Sequence, residues 1–436
     1  MKTVYLQSDN RDFMKRYFSN YGPWSLLFLV LLPWGALAAE EAEGVTSQMY
    51  DSIVPRYPIV AGEQHLLPIL SQLNNKLDGY GLAIDSMLLQ DVGYIKYQQP
   101  VTGAYAYTFY GLQGRLDCEK LMNWHGAEFL VAMLAGAQYT ASEETALIAE
   151  NDYIAGLSGV QLAELWWRQR FWGDRAAVQL GKVDCLGSFA IIPAAENYIN
   201  FKFFAPAGIF WFCPTFPYQA LGAIASLSAE SFRVRSGIYD GAQAFAFAEP
   251  LDQQPDPQPG NGLFYASEAE LRWSLKDHFG YLSVGGWLHS GKIPAWSGCP
   301  NSGAYGWYLI GQQQLMANPL AGPQSDGLWL WGSLGYSGPA RVTPFSWDAA
   351  IGMSWIGTLL YGKQDLFGIG VSYLQAPCNV QPATLNRHEI TTEIYAGFEI
   401  LPGVTLQPDL QFIHNPLFVE QPGWATVATI RMTILF

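Results

Sequence analysis

Ala425-Thr-Val-Ala-Thr-Ile-Arg-Met-Thr-Ile-Leu-Phe436 is the last stretch of the chain, and its pattern decides how the rest is read. In steps of two, Thr426, Ala428, Ile430, Met432, Ile434 and Phe436 share one face. Val427, Thr429, Arg431, Thr433 and Leu435 share the other. Period two is the mark of a strand. An almost wholly apolar face backed by one that carries Arg431 suits a wall between lipid and water. A buried edge strand of a soluble sheet could show the same alternation, so the rest of the chain must choose.

The pattern recurs upstream. Gln113, Arg115, Asp117 and Glu119 oppose Leu112, Leu116 and Cys118, and Glu268, Glu270, Arg272 and Ser274 oppose Ala269, Leu271, Trp273 and Leu275. Thr405, Gln407, Asp409 and Gln411 oppose Leu406, Pro408, Leu410 and Phe412, while Arg233 and Arg235 oppose Phe232, Val234 and Ile238. In a sandwich the polar faces would look outward to water. In a membrane barrel they would line a wet lumen. Short turns are expected at Phe171–Arg175, Lys276–Phe279 and Leu401–Gly403, and the Gly- and Pro-rich run Glu249–Gly262 reads as an exposed loop. Short turns at one end and long loops at the other fit such a barrel.

The front of the chain favours the membrane. Lys2, Arg11, Lys15 and Arg16 precede an apolar core from Trp24 to Trp34, and Ala36-Leu37-Ala38 follows as an A-x-A site. This layout predicts a signal peptide over 1–38, cut after Ala38. Residues 39–80 are expected to form a periplasmic or lumenal segment, with a short helix over Gln64–Leu77, and residues 81–436 the barrel. The terminal aromatic of the last strand resembles the assembly signal of bacterial outer-membrane barrels. At roughly 25 residues per strand with its share of loop, about 400 residues would build about 16 antiparallel strands. The fold class expected is therefore all-β, a transmembrane barrel with short periplasmic turns and longer extracellular loops.

Composition agrees. Charged residues are 14% of the chain, well under the roughly 25% of soluble domains. The 16 Trp, 24 Tyr and 24 Phe suit interfacial girdles. A formal net charge of −14 argues against nucleic acid. The five cysteines (Cys118, Cys185, Cys213, Cys299, Cys378) make no C-x-x-C pair, and disulfides are open to them in an exported protein, with no pairing readable. The six histidines show no metal spacing, and no nucleotide or G-x-S-x-G motif occurs, so no cofactor and no catalysis are expected. A barrel enzyme is the alternative, with His289 or His414 as its base.

Several phrases, in order along the chain, resemble the carbohydrate-selective porins of Gram-negative outer membranes, the OprB-type family. They are Gly114-Arg-Leu-Asp-Cys-Glu-Lys-Leu-Met-Asn-Trp-His-Gly126, Leu165-Trp-Trp-Arg-Gln-Arg-Phe-Trp-Gly-Asp-Arg175, Leu180-Gly-Lys-Val-Asp184, Ser236-Gly-Ile-Tyr-Asp-Gly241, Gly286-Trp-Leu-His-Ser-Gly-Lys292, Tyr308-Leu-Ile-Gly-Gln-Gln-Gln-Leu315 and Leu406-Gln-Pro-Asp-Leu-Gln-Phe412. The resemblance implies a barrel of about 16 strands that passes mono- or oligosaccharides by passive diffusion. Its surroundings would be outer-membrane lipid and its folding partner the barrel assembly machinery acting on the strand that ends at Phe436, with the assembly state, a homotrimer included, left open by the sequence. A general, non-selective porin is a further alternative.

A sugar path needs charged groups that pair with hydroxyls and flat rings that stack on pyranose faces, all binding weakly. Glu164, Trp166, Arg168 and Arg170 share one face of a strand whose other face holds Ala163, Leu165 and Trp167, and Arg115, Asp117 and Glu119 are expected beside them. Arg233, Arg235, Glu270 and Arg272 are further pore-lining candidates. The aromatic segment Pro206–Tyr218 is expected either to fold inward as a constriction with Trp211 as a stacking ring, or to pack at the rim or in the lipid belt.

Overall fold

The computed structural model describes residues 66, 68–97, 102–142, 145–146, 148, 151–241, 262–275, 278–293, 301–317, 326–357, 365–377, 386–419 and 422–436. The expected signal peptide, residues 39–65 of the segment that follows it, Glu249–Asn261 of the long loop, Lys276 and Asp277 of an expected short turn, Cys299 and Cys378 lie outside these residues.

Among the described residues sixteen antiparallel strands close into one barrel, each bonded to its neighbours in chain order. They are β1 (Leu82–Lys96), β2 (Gly103–Asp117), β3 (Ala127–Thr140), β4 (Gly159–Phe171), β5 (Ala176–Val183), β6 (Ala220–Ser228), β7 (Phe232–Asp240) and β8 (Leu263–Leu275). Then come β9 (His278–Ile293), β10 (Asn301–Ala317), β11 (Gly327–Gly338), β12 (Trp347–Ile356), β13 (Leu366–Gln375), β14 (His388–Leu401), β15 (Val404–His414) and β16 (Trp424–Leu435). The seam between first and last strands runs from Met87↔Leu435 to Lys96↔Thr426. A helix, α1 (Pro68–Gly79), leads into β1 where the sequence predicts one slightly earlier. No helix among the described residues is long and apolar enough to cross a membrane.

The barrel is inside-out by the standard of a soluble protein. Val92, Leu165, Leu221, Val284, Ile351, Ile369 and Ile430 are exposed on its outer surface. Asp91, Glu128, Arg168, Arg233, Glu268, Glu270, Glu393 and Arg431 are buried inside it. Burying an unpaired charge is prohibitively costly, so these groups must find partners or water within the bore. Oily residues on the outside cost little only if the surroundings are oily too.

The two barrel ends differ. The end where α1 enters and the last strand finishes is joined by short turns, among them 172–175 between β4 and β5, 229–231 between β6 and β7, and 402–403 between β14 and β15. Here Leu66 N donates to Leu435 O and Phe436 N to Ser86 O. The opposite end carries the long connections, including 141–158 and 184–219. The first of the short turns is built by α2 (Cys118–Met122), capped by Asp117, whose carboxylate accepts from Glu119 N and Lys120 N.

The alternation slips at one informative place. Ala132 pairs with Glu164 and Met133 with Leu162, so Ala163 is the extra residue of a β-bulge. Ala163 is buried, contrary to the lipid-facing place that strict alternation gives it, and Leu162 takes up the outer face again. Farther along, Gly181 in β5 has φ +143 and lies so close to β4 that an added Cβ would stand 2.2 Å from Leu165 O. The two nearest atoms, Leu165 O and Trp166 Cα, are backbone of the wall, which cannot yield. Gly181→Ala is expected to cost about 1–3 kcal/mol, read as a lower urea midpoint of the refolded barrel.

Candidate functional site

The bore is not an empty tube, because the 184–219 connection turns inward and is tied to the wall at each step. Asp184 holds its neck. Its carboxylate accepts from Leu186 N (2.9 Å) and Gly187 N (3.3 Å) on the outgoing side, and from Thr215 Oγ1 (2.7 Å) and Phe216 N (3.3 Å) on the return. Burial raises the Asp184 carboxyl above its ordinary range, and these donors partly offset the rise. Beyond the neck, Ala190 N donates to Glu268 of β8 (2.9 Å) and Ala194 N to Gln312 of β10 (3.0 Å). Ile199 N (2.6 Å) and Asn200 N (3.1 Å) donate to the two oxygens of Glu393 in β14. The Asn200 amide reaches Gln411 of β15 at 3.0 Å.

The loop then returns through α3 (Phe201–Phe204) and α4 (Ala207–Phe212). Lys202 pairs with Glu389 of β14, both buried. Ala207 N and Gly208 N share the Asp348 carboxylate of β12 at 3.0 and 3.2 Å. Phe201 and Phe210 stack at 4.3 Å, and Tyr198 lies edge-on to Trp331 and Tyr395. Apolar packing thus fills the inside of the loop while carboxylates of the wall take its backbone donors.

A second inward segment comes from the 141–158 connection. Tyr153 N donates to Ile199 O and Phe201 N to Asn151 O, joining it to the first loop. Asp152 accepts from Arg431 at 3.2 Å, and the same guanidinium lies 4.4 Å from the Tyr153 ring. Burial, with the Asp91 charge next in size, raises the Asp152 carboxyl.

The wall from β3 to β8 has a different character, for its ionic groups mostly satisfy one another. Arg168 and Arg170 of β4 reach Glu128 of β3 at 2.6 and 3.4 Å. The Arg168 guanidinium stands 5.4 Å from the Trp166 ring, and Trp166 Nε1 donates to Glu164 at 2.9 Å. On β7 and β8, Glu270 accepts from Arg233 (3.4 Å), Arg235 (3.3 Å) and Arg272, and Arg235 also pairs with Glu268. Arg170 Nε faces Asp174 Oδ1 at 3.7 Å, whereas Arg168 Nε and Glu128 Oε1 are buried without a hydrogen-bond partner among the described residues. Left dry, each would cost about 1–3 kcal/mol, so they argue for a hydrated lumen beside the ladder.

Most of the candidates therefore fall on two ladders: Glu164, Trp166, Arg168 and Arg170 on one, Arg233, Arg235, Glu270 and Arg272 on the other. β3 stands between β2 and β4, so Arg115 and Asp117 are not adjacent to the first ladder, whereas Glu119, which accepts from Gly126 N at 3.2 Å beside the Arg170 backbone, lies near enough to feel the Arg170 charge. Arg115 keeps the lumenal phase near the short-turn end and is exposed. Asp117 is a helix cap, and Glu119 lies in α2 on the outer turn, bound to His125 Nδ1 at 2.9 Å. These two are corrected from lumen to turn: the strand stops at Asp117 because its side chain caps the helix. The Pro206–Tyr218 segment does enter the barrel, but Trp211 stacks on Phe418 at 5.5 Å and meets Phe345 edge-on at 5.9 Å. One face of its ring is thus already covered.

Glu128 was missed because it stands singly just before the apolar run Phe129–Ala137, which reads equally as a strand or a buried turn. The anchoring work of Asp348, Glu389 and Glu393 was also not legible, since alternation reveals a face and not a partner. His289 is no free base: Nε2 lies 3.0 Å from Gly241 O, and Nδ1 accepts from Gly291 N at 3.0 Å. Among the described residues no cluster of His, Cys, Asp and Glu could hold a metal.

Comparison with known proteins fits this geometry. The family "Carbohydrate-selective porin, OprB family" matches residues 103–436. Porin B of Pseudomonas aeruginosa is 22% identical over a 406-residue alignment covering 78% of this chain and 84% of that protein. The high-pH structure of Pseudomonas putida OprB superposes with a TM-score of 0.72 at 18% identity, covering 84% of this chain and 97% of that one. Its low-pH structure gives 0.55 at 18% identity, over 86% and 99%. With a family match that takes in fifteen of the sixteen strands described here, the chain belongs to the carbohydrate-selective porins of the OprB family.

Proposed function

We propose that sugars cross this porin passively between the inward loops and the β2–β8 wall, stepping along arginine rungs in the outer membrane. The long-loop end faces the outside and the short-turn end the periplasm. The observation that carries this reading is the division of labour inside the barrel. Carboxylates and amides of β10–β15 bind the loop, whereas the guanidinium groups of β4, β7 and β8 pair with carboxylates of the wall, which can share them with a passing hydroxyl. Arg170 is about one-third exposed at its side chain, and Arg235 and Arg272 retain some exposure. Guanidinium forks and carboxylates offer paired donors and acceptors matching vicinal hydroxyls, and a series of weak contacts keeps the solute moving.

The oily exterior is read as the lipid-facing surface, in part shared with further copies of the chain. Supporting the latter is the Thr108–Gln90 hydrogen bond (2.6 Å) on the outer face of β1 and β2, a polar spot that lipid would meet poorly. Phe436 remains the expected recognition element for assembly machinery, at the seam end where its amide donates to Ser86.

The test is liposome swelling with mono- and disaccharides against an uncharged polyethylene glycol of similar size. The R115Q/R170Q/R272Q variant is expected to slow sugar entry several-fold while leaving the glycol rate near that of the parent. Equal slowing of both solutes, or parent protein that never favours sugars, would mean a general pore.

A further inference from the structure

Two of the described cysteines lie at the neck of the inward loop. Cys185 comes two residues after β5 and Cys213 directly after α4, so residues 186–212, the whole inward excursion, lie between them. Cys185 N donates to Pro214 O at 3.0 Å, which lays the outgoing and returning chains side by side. The two thiols are free in this structure, close enough to act on each other, and almost wholly buried, at 0% and 1% exposure. Next to them Asp184 reaches across the same neck to Thr215 and Phe216. Cys118 lies in the α2 turn, its sulfur 4.0 Å from Leu116 O.

We propose that Cys185 and Cys213 form a disulfide that staples the base of the inward loop in the exported protein. As the outer-membrane porin of the proposed function, on which this inference rests, the chain would pass through a compartment where disulfides form and persist. The Cys185 and Cys213 thiols lose two protons and two electrons, and an S–S bond forms. A disulfide-bearing thiol oxidase of the periplasm accepts the electrons, its own S–S bond breaking to two thiols.

The order of events follows from burial. In the packed loop, removal from water, with the neighbouring sulfur next, holds the Cys213 thiol above its ordinary range, so thiolate for exchange is scarce. The bond therefore forms before the loop docks, and docking then shields it. Its effect is to restrict the neck in addition to the Asp184 hydrogen bonds, holding the loop at one depth.

The experiment uses full-length protein from outer membranes, quenched in acid and denatured in iodoacetamide without reductant. After reduction, a second, heavier alkylating reagent marks cysteines that had been bonded, and peptides are mapped by mass. The expected result is the second label on Cys185 and Cys213, with an unreduced digest yielding their two peptides joined and two hydrogens lighter. The first label on both, or joining of either to Cys118, Cys299 or Cys378, overturns the staple. If liposomes still favour sugars while both thiols are free, the staple alone falls and the porin reading stands.

Discussion

Arg431→Leu is expected to leave most of the protein unfolded under conditions where the parent barrel is fully formed. Arg431 stands on β16 and faces Asp91 on β1, the two strands that close the cylinder. Its Nε lies 2.8 and 3.1 Å from the two Asp91 oxygens, and its Nη2 serves Asp152 of the inward 141–158 segment. Leucine would leave two buried carboxylates facing each other with no cation between them. Removing one member of a buried ion pair costs about 3–5 kcal/mol, a large part of a margin of roughly 5–15 kcal/mol. The readout is the heat-modifiable gel band together with the urea midpoint in detergent. Adding Asp91→Asn and Asp152→Asn to Arg431→Leu should recover much of the loss, because the stranded charges are then gone. A single variant that melts with the parent would show that solvent already reaches this seam and that the pair is ornamental.

Replacing residues 187–212 by a short Gly-Ser link is expected to raise single-channel conductance several-fold and to remove preference among solutes of equal size. The loop takes its backbone partners from Glu268, Gln312, Asp348 and Glu393, and its loss returns those groups to water, not to a dry cavity. The wall should survive, since strand register is held by the sixteen ladders and by the Arg–Glu rungs of β3–β4 and β7–β8. Planar-bilayer recording measures both quantities. Unchanged conductance would place the narrowest point elsewhere, at the 141–158 segment or the loop mouths.

Much of this molecule was legible before any coordinates. Period-two alternation needs no partner to be read, because each side chain's face depends only on its position along the strand. Arg431, Thr429 and Val427 look inward as that rule requires, and Ile430 outward. The rule failed where backbone geometry changed phase. At Ala163 a bulge inserts one residue, and at Asp117 a carboxylate captures two backbone amides and starts a turn. Neither event alters composition or periodicity enough to be seen beforehand.

The amino-acid sequence by itself determined the strand pattern, the inverted polarity, the approximate number of strands and the family resemblance, all of which follow from local alternation and ordered phrases. The tertiary structure alone decided which ionic groups work together. Glu128 meets Arg168 across 40 positions of chain, Asp91 meets Arg431 across 340, and Ile199 finds Glu393 across 194. Such partners are chosen by barrel closure and by the path of an inward loop, and no spacing along the chain encodes either.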